Sequence, residues 1–243
     1  MIDIHTHILP GIDDGARDME DSIEMASIAV ESGVHTLVAT SHANTQGFFR
    51  RYNVEEYMER LFLLQQTLDR EEIPLTVLSG MEIFMTEQVP DMIREERLLP
   101  INGTNYFLME FGFGIDQEEM DELLDEVMEL SVIPIIAHPE RYRCVQRSAR
   151  GLFYWMEQGC LTQVNRGSIF GRFGKDVKIC VDHLLKKNMV TCIASDAHKP
   201  FERTTYMADI KEYMETQYSF EYSKKLLYDN PSKILNGKRI IEK

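Results

Sequence analysis

Met1-Ile2-Asp3-Ile4-His5-Thr6-His7 opens the chain, and Asp13-Asp14-Gly15 follows a few residues later. The apolar start predicts a β-strand, in which successive side chains point to opposite faces. Because His5 and His7 stand two positions apart, both imidazoles can leave the end of this strand on the same side. That spacing suits two ligands of one metal ion, although ordinary polar residues at a strand end are the commoner explanation of a lone His-x-His. Residues elsewhere in the chain distinguish a metal site from ordinary polar residues at a strand end.

Length and composition predict one globular domain over residues 1–243, the ordinary size of an α/β barrel, with no linker-like stretch. A hydrophobic fraction of 44% is enough for a large core. The formal net charge of −14 disfavours nucleic acid as a partner, because binding to a phosphate backbone needs a basic face.

We expect a cytoplasmic protein without membrane insertion. The sequence has no apolar run long enough to cross a bilayer, and its first residues lack the basic segment and apolar region of a signal peptide. The cysteines lack C-x-x-C spacing, so we interpret them as reduced thiols that mostly serve core packing. They are Cys144, Cys160, Cys180 and Cys192.

Short β-branched and apolar segments alternate with amphipathic helical patterns along the whole chain. After the opening strand, the predicted strands span 34–40, 75–78, 106–109, 132–137, 161–164 and 189–194. This alternation indicates an α/β fold with a parallel sheet, most simply a distorted seven-stranded (β/α) barrel. No glycine-rich phosphate loop follows any strand, which disfavours a dinucleotide-binding fold.

Metal-ligand residue types follow six of the seven predicted strands. They are His5, His7, His42, Glu82, Glu110, His138, Asp196 and His198. The carboxyl ends of barrel strands converge on one mouth, so we expect these side chains to form a single cluster there. Each residue alone has a structural explanation, such as a helix cap or a satisfied polar group, but the repetition favours a metal site.

With Asp14 the cluster has nine candidate ligands, too many for one tetrahedral ion, so we expect two or three divalent ions held in part by bridging carboxylates. Mixed imidazole and carboxylate ligands suit Mn, Fe or Zn better than Mg or Ca. Such a site would attract a phosphate and lower the pKa of a bound water.

These residues resemble the polymerase-and-histidinol-phosphatase (PHP) superfamily. The further motifs Asp13-Asp14-Gly15, His138-Pro139-Glu140-Arg141-Tyr142, Gln163-Val164-Asn165 and Ala194-Ser195-Asp196-Ala197-His198 are similar to those of the bacterial manganese-dependent tyrosine-protein phosphatases of capsule and exopolysaccharide loci. The similarity spans nearly the whole chain in order.

The resemblance implies three metal positions. One would be held by His5, His7, Glu82 and Asp196, a second by Glu82, Glu110 and His138, and a third by Asp14, His42 and His198. Asp14, where other branches commonly have histidine, fits the tyrosine-phosphatase branch. The same branch places arginines against the substrate phosphate at Arg141 and Arg203, although the loop before Arg203 is less typical.

Arg141 is also expected to bind phosphate for a physical reason, because it lies three residues past His138 and a guanidinium can grip two phosphate oxygens.

The expected reaction is attack of a metal-bridging hydroxide on phosphotyrosine, whose phenolate leaves readily. The implied substrate is a phosphotyrosine protein, such as a bacterial tyrosine kinase controlling polysaccharide export. A small-molecule phosphatase of histidinol-phosphate type and a non-catalytic regulator that binds a phosphorylated partner are the alternatives.

Two further features have weaker functional interpretations. Residues 144–150 fit the C-x5-R spacing of thiol-based tyrosine phosphatases, but the segment has no glycine and Cys144 lies well past a strand end, which disfavours that mechanism. We interpret Arg143, Arg147 and Arg150 as a solvated face. Phe48, Phe49 and Tyr52 could line a phosphotyrosine pocket, but packing within the loop is the more ordinary role.

Overall fold

The computed structural model describes residues 1–45 and 53–240, and its strands are all paired in parallel. The strands are β1 (Ile2–Thr6), β2 (Thr36–Ala39), β3 (His42–Ala43), β4 (Thr76–Ser79), β5 (Glu82–Phe84), β6 (Tyr106–Glu110), β7 (Ile133–Ala137), β8 (Leu161–Asn165) and β9 (Cys192–Ala194). They form a three-stranded sheet in the order β1-β2-β4 and a six-stranded sheet in the order β3-β5-β6-β7-β8-β9.

Helices connect the strands, as the alternating pattern predicts. They are α1 (Met19–Glu31), α2 (Val54–Arg70), α3 (Val89–Arg94), α4 (Gln117–Met128), α5 (Arg143–Arg147), α6 (Arg150–Glu157), α7 (Arg166–Ile169), α8 (Lys175–Lys186), α9 (Ala208–Gln217), α10 (Phe220–Lys224) and α11 (Asn230–Leu235). Shorter turns are the 3-10 segments Ile101–Gly103 and Pro139–Arg141 and the π-helical segment Lys225–Asp229.

Polar side chains cap the first turn of three of the longer helices. The carboxylate of Asp18 accepts a hydrogen bond from the backbone N–H of Asp21, and Asp116 caps α4 in the same way. The side-chain oxygen of Asn53 caps α2. These caps satisfy N–H groups that have no partner within the helix, which fixes where each helix starts.

The α/β class with parallel strands is confirmed, but the distorted seven-stranded barrel is not. The predicted strands 34–40 and 75–78 correspond to β2 and β4. After breaks at Thr40-Ser41 and Gly80-Met81, they are followed by the short strands β3 and β5, which the sequence pattern does not predict. The described strands therefore form sheets of three and six rather than one ladder. An isolated parallel bridge between Thr6 and Ala197 joins the end of β1 to the segment after β9.

Side-chain hydroxyls explain both interruptions, because they take hydrogen bonds that a continuous ladder would make through the backbone. The hydroxyl of Tyr57, on α2, donates to the carbonyl of Ala39 at 2.6 Å and accepts from the N–H of Gly80 at 3.0 Å. The hydroxyl of Thr40 accepts from the N–H of Thr6 at 2.9 Å. Tyr57 thus connects the ends of β2 and β4 at the level where both strands break.

The core has two parts that position the site. A small cluster including Ile4, Leu108, Ile135 and Ala194 is contributed by several strands and is closed by Ile234 and Leu235 of α11. A larger cluster packs the helices against the strands. The four cysteines are free thiols. Among the described residues, no helix combines the length and the apolar character needed to cross a bilayer.

Candidate metal centre

The nine predicted ligands lie together at the carboxyl ends of the strands. Three groups of ligand-type atoms each fall within 4.8 Å of one another. They are His7, Asp14, His42 and His198; His5, His7 and Asp196; and His42, Glu82 and Glu110. His138 joins the cluster because its Nε2 is 2.9 Å from Oε1 of Glu82.

Glu82 lies at the centre of the cluster and is almost fully buried. Its Oε1 is 3.2 Å from Nε2 of His5, and its Oε2 is 3.3 Å from Nε2 of His7 and 3.0 Å from Nδ1 of His42. A carboxylate with different histidines on its two oxygens has the arrangement of a bridging ligand. The groups differ from the implied ones at two histidines. His7 also lies with Asp14, and His42 rather than His138 is grouped with Glu82 and Glu110.

The outer nitrogens of the first two histidines are held by neighbouring side chains. Nδ1 of His5 is 2.8 Å from Oε1 of Gln163, and Nδ1 of His7 is 2.8 Å from Oδ2 of Asp13. When these oxygens accept the ring protons, both Nε2 atoms face the centre with lone pairs. The two Nε2 atoms are only 3.4 Å apart. Two lone pairs at that distance, among carboxylates, fit a bound cation, and this ring-nitrogen arrangement is typical of metal-ligating histidines.

A buried chain of amides connects His5 with Asp196. Nδ2 of Asn165 is 2.5 Å from Oδ2 of Asp196, and Nε2 of Gln163 is 2.9 Å from Oδ1 of Asn165. Because a carboxylate only accepts, Asn165 must donate to it, and Asn165 then offers its oxygen to Gln163. Gln163 has only its oxygen left for His5. The two amides therefore fix the His5 proton on Nδ1.

Sequence reasoning missed the roles of Asp13, Gln163 and Asn165, although it quoted the motifs that contain them. Asp13 also accepts from the backbone N–H of His42 at 2.9 Å, so it holds two predicted ligands at once. The signal was present at Gln163 and Asn165, since two amides at alternate positions of a buried strand end point to the same side as the ligands.

The charges of the cluster are strongly coupled. Burial alone would raise the pKa of Asp196, but the neighbouring His5 and Arg203 hold that pKa well below its ordinary value. Burial and the nearby Glu82 carboxylate raise the pKa of Glu110 to about 8. Burial lowers the pKa of His138. A cation among these groups would relieve the repulsion between the carboxylates.

Both predicted arginines lie at the rim of the cluster, next to Asp196. Nη2 of Arg203 is 2.5 Å from Oδ2 of Asp196, and Nη1 of Arg141 is 3.8 Å from the same oxygen. His138, Asp196 and Arg203 have φ angles of 35°, 51° and 50°. Non-glycine residues in this left-handed region are concentrated at functional sites, where the surrounding fold holds them in place.

The remaining candidates lie elsewhere. Arg143, Arg147 and Arg150 are exposed to solvent. Cys144 is half-buried on α5, and burial raises the pKa of its thiol. Phe48, Phe49 and Tyr52 lie outside the described residues.

Comparison with known proteins places this chain in a family. The family model for capsular polysaccharide synthesis, CpsB/CapC, matches residues 1–236. The chain is 36% identical to the tyrosine-protein phosphatase YwqE of Bacillus subtilis (strain 168) over 240 residues, 99% of this chain and 93% of that protein. It is 30% identical to the tyrosine-protein phosphatase CpsB of Streptococcus pneumoniae over 241 residues, 97% of this chain and 98% of the relative.

A solved structure gives the same result. It comes from crystal structures of YwqE from B. subtilis and CpsB from S. pneumoniae, described as unique metal-dependent tyrosine phosphatases. It matches with a TM-score of 0.92 and 35% identity, covering 100% of this chain and 97% of its own. The chain belongs to the CpsB/CapC family of capsular polysaccharide synthesis.

Proposed function

We propose that this protein is a metal-dependent tyrosine phosphatase that removes phosphate from phosphotyrosine in a protein partner. The observation that carries the proposal is the convergence of five histidines and four carboxylates, most of them buried, at one end of the strands, with two arginines beside Asp196. The named relatives, which are tyrosine-protein phosphatases matched over nearly their whole length, support the substrate class.

The nine clustered side chains would hold two or three divalent ions. We propose manganese in the cell, with iron or zinc as other ions that suit mixed nitrogen and oxygen donors. When bound, such ions supply an acidified water as nucleophile and neutralise phosphate charge. Glu82, between four histidines, would be the shared ligand.

The chain's own residues would orient the phosphoryl group. The guanidinium groups of Arg141 and Arg203 reach the same oxygen of Asp196 from the rim, so both stand where an incoming phosphate meets the cluster. Paired guanidinium donors stabilise the equatorial oxygens as charge develops on them. The ligand side chains would be kept in position during this step by Asp13, Gln163 and Asn165.

We infer that residues 1–243 act as one domain and that the two sheets together serve as a distorted seven-stranded barrel in which two strands are interrupted. The bridge from Thr6 to Ala197, which brings the first strand to the last, supports this arrangement. We place the protein in the cytoplasm, where its four free cysteines would remain reduced. The proposed partner is a bacterial tyrosine kinase of capsule or exopolysaccharide synthesis.

One assay panel tests the function. Purified protein, loaded with manganese or treated with chelator, is given a phosphotyrosine peptide, the matched phosphoserine peptide and histidinol phosphate. We expect metal-dependent release of phosphate from the phosphotyrosine peptide. Turnover of histidinol phosphate alone would refute the proposed substrate class, and binding without turnover in the metal-loaded protein would indicate a regulator.

A further inference from the structure

The side chain of Arg141 packs against two phenyl rings. Its guanidinium carbon is 4.2 Å from the ring centroid of Phe113 and 4.5 Å from that of Phe173. The guanidinium carbon of Arg203 is 5.9 Å from the Phe173 centroid. These distances fall within the range of cation–π attraction, so the rings restrain the planes of the arginines while leaving N–H groups at their edges.

Phe113 extends from the metal cluster to Arg141. Its ring centroid is 6.1 Å from the imidazole of His138, a predicted ligand. Its carbonyl accepts from the backbone N–H of Arg143 at 3.0 Å, which joins the loop after β6 to the loop that carries Arg141. Phe113 is nevertheless 43% exposed, which is unusual for a phenylalanine beside a buried polar cluster.

The ring of Phe173 packs against the backbone of Gly167. A Cβ atom at Gly167 would lie 3.0 Å from Cε2 of Phe173, so the absence of a side chain there provides room for the ring. Gly167 lies on α7, immediately after the β8 strand that carries Gln163 and Asn165. The ring position is thus tied to the strand that also holds His5.

We propose that Phe113 and Phe173 are specificity-determining residues, which hold Arg141 for the phosphate and provide a wall for the phenyl ring of phosphotyrosine. This inference rests on the proposed function and names how the site selects its substrate. The phosphate of the substrate meets Arg141, and the substrate ring then lies beside the exposed ring of Phe113 and the half-buried ring of Phe173. Phosphoserine has no ring to fill this space.

Non-hydrolysable ligands test whether Phe113 and Phe173 bind the substrate ring, because their affinity does not depend on the leaving group. Phenylphosphonate and methylphosphonate share one head group and differ in the ring. Calorimetric titration into metal-loaded wild type should give about tenfold tighter binding of phenylphosphonate, a typical gain for one aromatic contact with its buried area. Phe113→Ala and Phe173→Ala should each reduce this preference to about twofold. Phe113→Leu, which keeps apolar area but loses the ring, should lie between.

Phe153→Ala is the matched control. Phe153 is 52% exposed and lines a cavity with Tyr106 and Ile133 at the opposite end of the strands. This variant should keep the tenfold preference. The inference is overturned if wild type has no preference, if both site variants retain it with their metal content intact, or if Phe153→Ala loses it equally. Failure of wild type to hydrolyse phosphotyrosine peptides, with the phosphonate preference present, would instead refute the proposed function alone.

Discussion

Oε1 of Gln163 lies 2.8 Å from Nδ1 of His5, and neither side chain is accessible to solvent. The other end of the Gln163 amide faces Asn165, which itself donates to Asp196. Two predicted ligands from the first and last strands are therefore aligned by one pair of amides. This relationship gives a test of the cluster that leaves every ligand in place.

Gln163→Leu should weaken metal binding by about 10- to 100-fold, the usual cost of losing a partner behind a metal-ligating histidine. Without the amide oxygen, the His5 proton is no longer fixed on Nδ1, so Nε2 is less available as a ligand. Manganese affinity measured by calorimetric titration checks this expectation.

Gln163→Glu separates orientation from simple loss of packing. Its carboxylate still accepts a hydrogen bond from His5 but is repelled by the side-chain oxygen of Asn165. The manganese affinity of this variant should therefore lie between those of wild type and Gln163→Leu. Gln217→Leu, at an exposed position on α9, is the control and should bind as wild type does. Wild-type affinity in Gln163→Leu would contradict the role of the amide chain.

The sequence indicated the candidate ligands more completely than the residues that hold them. The membership of His42 and Glu82 in the cluster could be predicted because a ligand-type side chain at a strand end is visible in the sequence itself. The role of Gln163 depends on which ring nitrogen it meets, and that contact joins residues 158 positions apart. The short strands β3 and β5 beyond the breaks were not predicted, because the breaks depend on the hydroxyl of Tyr57, which reaches the ends of β2 and β4 from a helix.

Gly15→Ala should destabilise the protein by about 1–3 kcal/mol, the usual range for overpacking. A Cβ atom there would lie 2.1 Å from the carbonyl oxygen of His7 and 2.5 Å from its Cβ. The backbone must therefore separate from His7, which displaces the neighbouring Asp14 and lowers metal content. Urea unfolding and metal analysis measure the two effects. Gly114→Ala, where a Cβ would meet nothing within 4 Å, should change stability by less than about 0.5 kcal/mol. Equal effects of the two substitutions would refute the steric explanation.

Cys144→Ser should retain metal-dependent phosphatase activity within about twofold of wild type. A thiol-based phosphatase needs a thiolate, which requires a lowered pKa. Burial instead raises the pKa of Cys144, and the residue lies on a short helix rather than directly after a strand. Initial rates on a phosphotyrosine peptide, before and after iodoacetamide treatment, check this expectation. A loss of 100-fold or more in Cys144→Ser, with metal content unchanged, would revive the thiol mechanism.

Manganese should raise the thermal stability of the metal-free protein. A ligand that binds only the folded state at 100 times its Kd contributes about 2.7 kcal/mol. For a chain of this size, that corresponds to an increase in Tm of about 5–11 °C. Magnesium should have a smaller effect, because it prefers oxygen ligands and the cluster offers five imidazoles. Differential scanning calorimetry of chelator-treated protein measures both shifts.

Glu82→Gln removes the charge that faces His5, His7, His42 and His138 while keeping the side-chain shape, and it should lose most of the manganese shift. An unchanged shift in that variant would mean that manganese binds outside this cluster.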